Sequence, residues 1–244
     1  MELTDLTTIG RLIDPEYPTN RAITILTIVV TVFGVLFQLL SRETWSGSVL
    51  WGAQAGLTVF LAWALCRELD PDHSMAAFVA AGLALLALYS WGLPQLGVIF
   101  WLLILVRVVN RTVGLPAGVL DALGLLGLAG WLSLQGNWGY GVITVLAFLL
   151  DGWLPDRAPR QLVFALLAVV ITVVIAVLGE ASFVQRAPSL TGGLIALAFS
   201  FLFLPVILGA GELESVGDQT GEPLAPVRVQ AAQALALLAG VEAA

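Results

Sequence analysis

Three stretches of this 244-residue chain concentrate the side chains able to do chemistry. The first is Arg67-Glu68-Leu69-Asp70-Pro71-Asp72-His73. The second is Arg107, Asn110 and Arg111, followed by Asp121; the third is Asp151, Asp156, Arg157 and Arg160. Carboxylates and guanidiniums in company suit a phosphate held through a hard cation. Magnesium takes carboxylate oxygens and keeps phosphate as a further ligand, and arginine reaches phosphate with two parallel hydrogen bonds. Asp70, Asp72, Asp151 and Asp156 are the candidate Mg2+ ligands. Arg107 and Arg111, one helical turn apart, are the candidate phosphate ligands. Glu68, Asn110 and Asp121 are further polar residues expected to be buried.

The same residues have a plainer reading. Arg67, Arg107 and Arg111 close helices, where a cation meets the negative end of the helix dipole. Asp70, Asp72 and Asp156 precede helices, where a short acidic side chain serves as a cap. Asp121 is placed to form a structural ion pair with Arg107 or Arg111.

The elements that must position these clusters are membrane spans. Hydrophobic residues make up 59% of the chain and charged ones 11%, whereas soluble domains run near a quarter charged. Mean hydropathy is +0.98, and apolar runs recur from Ala22 to Leu208. An all-α, polytopic transmembrane bundle of about eight spans is predicted. The spans are Ala22–Leu40, Ser48–Cys66, Met75–Trp91, Leu93–Val109, Pro116–Leu134, Trp138–Leu154, Gln161–Gly179 and Leu190–Leu208. Residues 1–21 form a polar cytoplasmic segment with no signal-peptide pattern, in which Leu3, Leu6, Ile9 and Ile13 hint at a short interfacial helix. Residues 22–208 form the membrane domain. Residues 209–244 form a cytoplasmic acidic tail with a short amphipathic helix from about Pro226. Its expected apolar face is Val227, Ala231, Ala234, Leu235, Leu238 and Val241, with Arg228 and Gln233 elsewhere.

Arginine sets the orientation. With the N-terminus inside, eight arginines (11, 21, 67, 107, 111, 157, 160 and 228) fall on inner segments and two, Arg42 and Arg186, on outer ones. Both termini are therefore expected in the cytoplasm, with the chain in the inner or plasma membrane. All three polar clusters share that side. The halves also share Trp51-Gly52 with Trp138-Gly139, and Leu69-Asp70-Pro71-Asp72 with Leu154-Pro155-Asp156, as a four-plus-four duplication would produce. Glycines 124, 127, 130, 192 and 193 fit close helix packing.

Several functions are excluded. Every cation is an arginine; with no lysine there is no Schiff-base chemistry. One cysteine, Cys66, and one histidine, His73, cannot make an intrachain disulfide or a structural zinc site. A chain of net charge −7 without lysine has no patch for nucleic acid. No nucleotide-binding loop and no familiar hydrolase motif is present.

The layout resembles that of the UbiA-type intramembrane prenyltransferases, which carry one aspartate-rich motif between spans two and three and another between six and seven. Glu68, Asp70 and Asp72 stand in the first place here, and Asp151 and Asp156 in the second. The family's Asn-Asp-x-x-Asp-x-x-x-Asp spacing is absent, and the chain is short by about one span. The resemblance covers these two loops only; the Asp/Arg clusters themselves point to action on an isoprenoid or phospholipid phosphate at the cytoplasmic face, with Mg2+ as cofactor and membrane lipid as partner. The alternatives are a transporter of a small or hydrophobic solute and a non-catalytic scaffold subunit.

Overall fold

The computed structural model describes residues 7–11, 13–41, 43–179 and 190–242. Among them are nine α-helices and no strand: α1 Pro18–Leu40, α2 Trp45–Leu69, α3 Ala76–Trp91, α4 Leu96–Asn110, α5 Val119–Leu134, α6 Gly139–Trp153, α7 Arg160–Leu178, α8 Leu190–Gly209 and α9 Pro226–Glu242. The all-helical class is as expected.

Three helices, α1, α2 and α7, are long and apolar enough to cross a membrane. Helices α3 to α6 are apolar but hold only 15 or 16 residues. At a rise of about 1.5 Å per residue they reach about 24 Å, short of a hydrocarbon core of about 30 Å. They are shorter than the sequence reading because their ends unwind around polar and glycine residues. At the α3–α4 turn, Gly92 closes α3 with φ of +82°, a conformation glycine adopts without a steric penalty, and Pro94 follows. Helix α8 carries Pro205 inside it.

The chain divides into two compact units. One runs Arg11–Leu103; the other takes the chain from Ile104 onward with the described residues before Arg11. The division falls inside α4.

In the Arg11–Leu103 unit, α1 lies along α2 and α2 along α3. The buried core includes Ile23, Val59, Leu61, Trp63, Ala77 and Leu88. Small residues bring the α1 and α2 backbones together: a Cβ on Gly52 would stand 2.6 Å from the carbonyl oxygen of Thr31, and one on Gly56 would stand 2.8 Å from that of Thr27. Gly124 and Gly127, expected at such contacts, face open space instead. Thr44 caps α2 by accepting the Gly47 N–H.

In the other unit, α5, α6 and α7 pack on one another, and α9 packs on α6 and α8. Residues 7–11 are not helical, whereas the sequence pattern hinted at a short helix there; Leu3 and Leu6 lie outside the described residues. Thr7 and Thr8 instead bind the start of α5. Asp121 accepts from the Thr7 hydroxyl (2.6 Å), the Thr8 N–H (2.9 Å), the Thr8 hydroxyl (2.9 Å) and the Gly118 N–H (3.1 Å).

Candidate functional site

Helix α4 ends at Asn110, and the next residue, Arg111, adopts φ of +54°. This is the left-handed position after a helix, usually glycine, and it costs a side-chain-bearing residue about 1 kcal/mol. The turn redirects Arg111 away from the helix axis and into a buried cluster. Its Nε donates to Asp151 Oδ1 at 2.8 Å, and its Nη2 lies 2.7 Å from the same oxygen. Its Nη1 donates to the carbonyl of Asp156. Asp156, at φ of +61°, is the other non-glycine residue in this backbone region among the described residues.

A second guanidinium arrives from α9. Arg228 Nη1 donates to Asp151 Oδ1 at 2.8 Å and to the Val109 carbonyl at 2.9 Å, and Nε donates to the Pro155 carbonyl at 2.8 Å. The three side chains are almost completely enclosed: exposures are 0% for Asp151, 2% for Arg228 and 7% for Arg111. Two guanidiniums face one carboxylate, which leaves one excess positive charge. Val109 and Asp151 lie in the last turns of α4 and α6, whose terminal carbonyls lack helical partners and carry about half a negative charge per helix end. Two helix ends and one carboxylate therefore offset two arginines. Burial pushes the Arg228 guanidinium below its ordinary pKa, the charge of Arg111 adds to that, and Asp151 opposes it.

Around this node the tail is tied to the loop after α4. Asp218 N–H donates to the Thr112 carbonyl and Gln219 N–H to that of Val113. Gly114, at φ of +104°, lets Thr220 and Gly217 approach closely. The inward face of α9 is Arg228, Val229, Ala232, Gln233, Leu235, Ala236 and Ala239; Val227, Ala234 and Leu238 are exposed. Of the expected face, Val227, Ala234 and Leu238 are thus turned outward and Leu235 inward, a rotation that places Arg228 in its buried pairing.

The candidate residues are distributed as follows. Glu68, Asp70 and Asp72 belong to the Arg11–Leu103 unit; Arg107, Asn110, Arg111, Asp121, Asp151 and Asp156 belong to the other. Glu68 is buried with Arg11 3.6 Å away. Asp70 is the C-cap residue of α2 and hydrogen-bonds His73 Nδ1 at 2.8 Å. Met75, not an aspartate, is the N-cap residue of α3, and Pro159 is that of α7. Arg107 donates to the Ile9 carbonyl at 3.4 Å, so Arg107 and Arg111 part company. Asn110 is buried and accepts from the Thr112 N–H. Asp121 is half-buried, and its bonds to Thr7, Thr8 and Gly118 take the place of the expected arginine pair. Asp156 and Arg157 are exposed, and the exposed Arg160 donates to the Ala117 carbonyl at 2.7 Å. Among the described residues, no three His, Cys, Asp or Glu side chains gather closely enough for a metal ion.

Within the helices, the hydroxyls of Thr58 and Thr172 donate to the backbone of their own helix at 2.8 and 2.7 Å, so the hydrogen of each is already engaged. Sequence reasoning missed Arg228 as the partner of Asp151. The signal was present: Arg228 is the sole cation of α9, so any buried placement demands an anion. The chain matches no protein-family model, no curated protein and no solved structure.

Proposed function

We propose that the protein is a multi-pass membrane protein of the inner or plasma membrane, with eight spans and both termini cytoplasmic, acting as a non-catalytic scaffold. Asp151 carries the scaffold reading. Its Oδ1 is shared by Arg111 and Arg228 in an enclosed site, and opposite charges paired away from solvent serve as a joint between segments. A divalent cation there would meet two like charges. The eight-span topology draws support from the inward bias of arginine and, for three of the spans, from the length of α1, α2 and α7. Residues 209–244 are then a cytoplasmic tail.

Labelling of Asp72→Cys, Asp156→Cys and Ser182→Cys in a Cys66→Ala background by an impermeant thiol reagent tests the topology. Positions 72 and 156 should react only from the cytoplasmic side and 182 only from outside. Reaction of 72 and 156 from opposite sides overturns it.

A second reading, lipid-phosphate chemistry with Mg2+, is favoured by the exposed stretch after α6. There Asp156 holds a left-handed backbone beside Arg157 and Arg160, and such backbone outliers cluster at ligand sites. Calorimetry of the full-length protein in detergent with Mg2+ and a polyprenyl diphosphate separates the two. The scaffold reading expects no binding heat. Binding that Asp156→Asn or Arg160→Gln abolishes would replace it with the lipid-phosphate reading.

A further inference from the structure

The guanidinium of Arg228 is surrounded on every edge by oxygen. Nε meets the Pro155 carbonyl at 2.8 Å; Nη1 meets the Val109 carbonyl at 2.9 Å and Asp151 Oδ1 at 2.8 Å; Nη2 faces the Asp151 and Asp156 carbonyls at 3.4 and 3.5 Å. Five acceptors around all three nitrogens match a planar fork of donors, whereas an ammonium presents three donors from one point. The oxygens come from the ends of α4 and α6 and the loop after α6; only the cation comes from α9. Without that cation, the cage holds one carboxylate oxygen and two helix ends against Arg111 alone, an excess of negative charge.

We propose that this cage is a guanidinium-binding site, occupied in the resting protein by Arg228 as a tethered ligand, and that residues 215–242 form a strap held by that occupancy. The other strap contacts fit this role. They include the backbone bonds to Thr112 and Val113 and a bond from Gln230 Nε2 to the Ile207 carbonyl at 3.1 Å, together with an inward apolar face of Val229, Ala232, Leu235, Ala236 and Ala239. Five acceptors, by contrast, converge on the guanidinium of Arg228 alone. A free guanidinium ion and an arginyl side chain share the chemistry the cage selects. The inference goes beyond the scaffold reading, and its failure would leave the node a purely structural joint.

Chemical rescue of the full-length protein in detergent tests it. Val229 and Leu235 of the strap are buried, so thermolysin, which cuts on the amino side of such residues, reports strap release. Arg228→Ala should be cut about tenfold faster than wild type, as expected when a contact of about 1.4 kcal/mol is lost. Methylguanidinium should slow that cutting, while methylammonium at equal ionic strength should not. Parallel addition of N-acetylargininamide distinguishes the sources: rescue by both compounds admits an arginyl side chain, and rescue by methylguanidinium alone restricts the cage to a small ion. Equal effects of methylguanidinium and methylammonium overturn the proposal. Should Arg228→Ala not fold, Arg228→Lys serves. It keeps the charge but leaves acceptors unmet, so the strap should be cut faster than in wild type, and wild-type resistance overturns the guanidinium geometry.

Discussion

Arg228 reaches Asp151 across 77 positions of sequence, with Nη1 and Oδ1 2.8 Å apart. Arg111 holds the same oxygen from the end of α4. One carboxylate therefore joins α4, α6 and α9, while its second oxygen, Oδ2, is buried and receives no hydrogen bond from the described residues. All the pairing falls on a single atom.

That asymmetry predicts unequal effects of neutralising the three side chains. Asp151→Asn leaves two buried guanidiniums with no counter-ion, a change that typically costs about 3–5 kcal/mol. Arg228→Gln leaves a one-to-one pair with Arg111 and forfeits hydrogen bonds at a cost of about 1–3 kcal/mol. Thermal unfolding in detergent should rank Asp151→Asn well below Arg228→Gln. The reverse order would mean that the helix-end carbonyls, and not the carboxylate, carry the node.

The backbone at Arg111 allows the ion pair to be separated from the strain. Arg111→Ala and Arg111→Gly both delete the guanidinium, but only glycine relieves φ of +54°. Glycine also loosens the unfolded chain, which lowers the gain. The net expectation is that Arg111→Gly is more stable than Arg111→Ala by somewhat under about 1 kcal/mol. A glycine variant less stable than the alanine one would place the cost of the turn elsewhere.

Glycine in this protein follows two rules, and a paired substitution exposes both. Alanine at Gly52 or Gly56 puts a Cβ 2.6 or 2.8 Å from an α1 backbone oxygen that cannot swing aside. Overpacking of this kind costs about 1–3 kcal/mol. Alanine at Gly124 or Gly127 meets nothing within 4 Å and improves helix propensity by up to about 1 kcal/mol. Denaturation midpoints should fall for the first pair and hold or rise for the second.

Helix type and approximate position were legible because a helix satisfies its own backbone and these helices carry long apolar runs. Helix starts were less legible: α5 begins at Val119, three residues past the expected Pro116, where Asp121 accepts from the Gly118 N–H and from Thr7, 114 positions away. The charge clusters were visible as clusters, but pairing is a tertiary property. The acidic Asp121 could pair with a neighbouring arginine or cap its own helix, and only the arrival of Thr7 and Thr8 decided for the cap. Arg228 was misjudged for a related reason. On an almost uncharged helix, periodicity offers two apolar stripes, and the ion pair, invisible to periodicity, chooses between them.

The single histidine supplies a pH-dependent test of local geometry. The Asp70 carboxylate accepts a hydrogen bond from His73 Nδ1 at 2.8 Å, and this bond, followed by the negative charge of Asp70 and then of Asp72, holds the imidazolium above its usual pKa of 6.5. The folded chain thus binds this proton more tightly than the unfolded one. The contribution to stability is complete below pH 6.5 and is lost as pH rises through the folded pKa. His73 is fully exposed, so water screens the interaction and the effect on global unfolding is small. The imidazole signal in proton NMR, unambiguous because no other histidine is present, should titrate above 6.5 in wild type. It should return toward 6.5 in Asp70→Asn and move less in Asp72→Asn. Equal midpoints for wild type and Asp70→Asn would mean that the pair does not persist in solution.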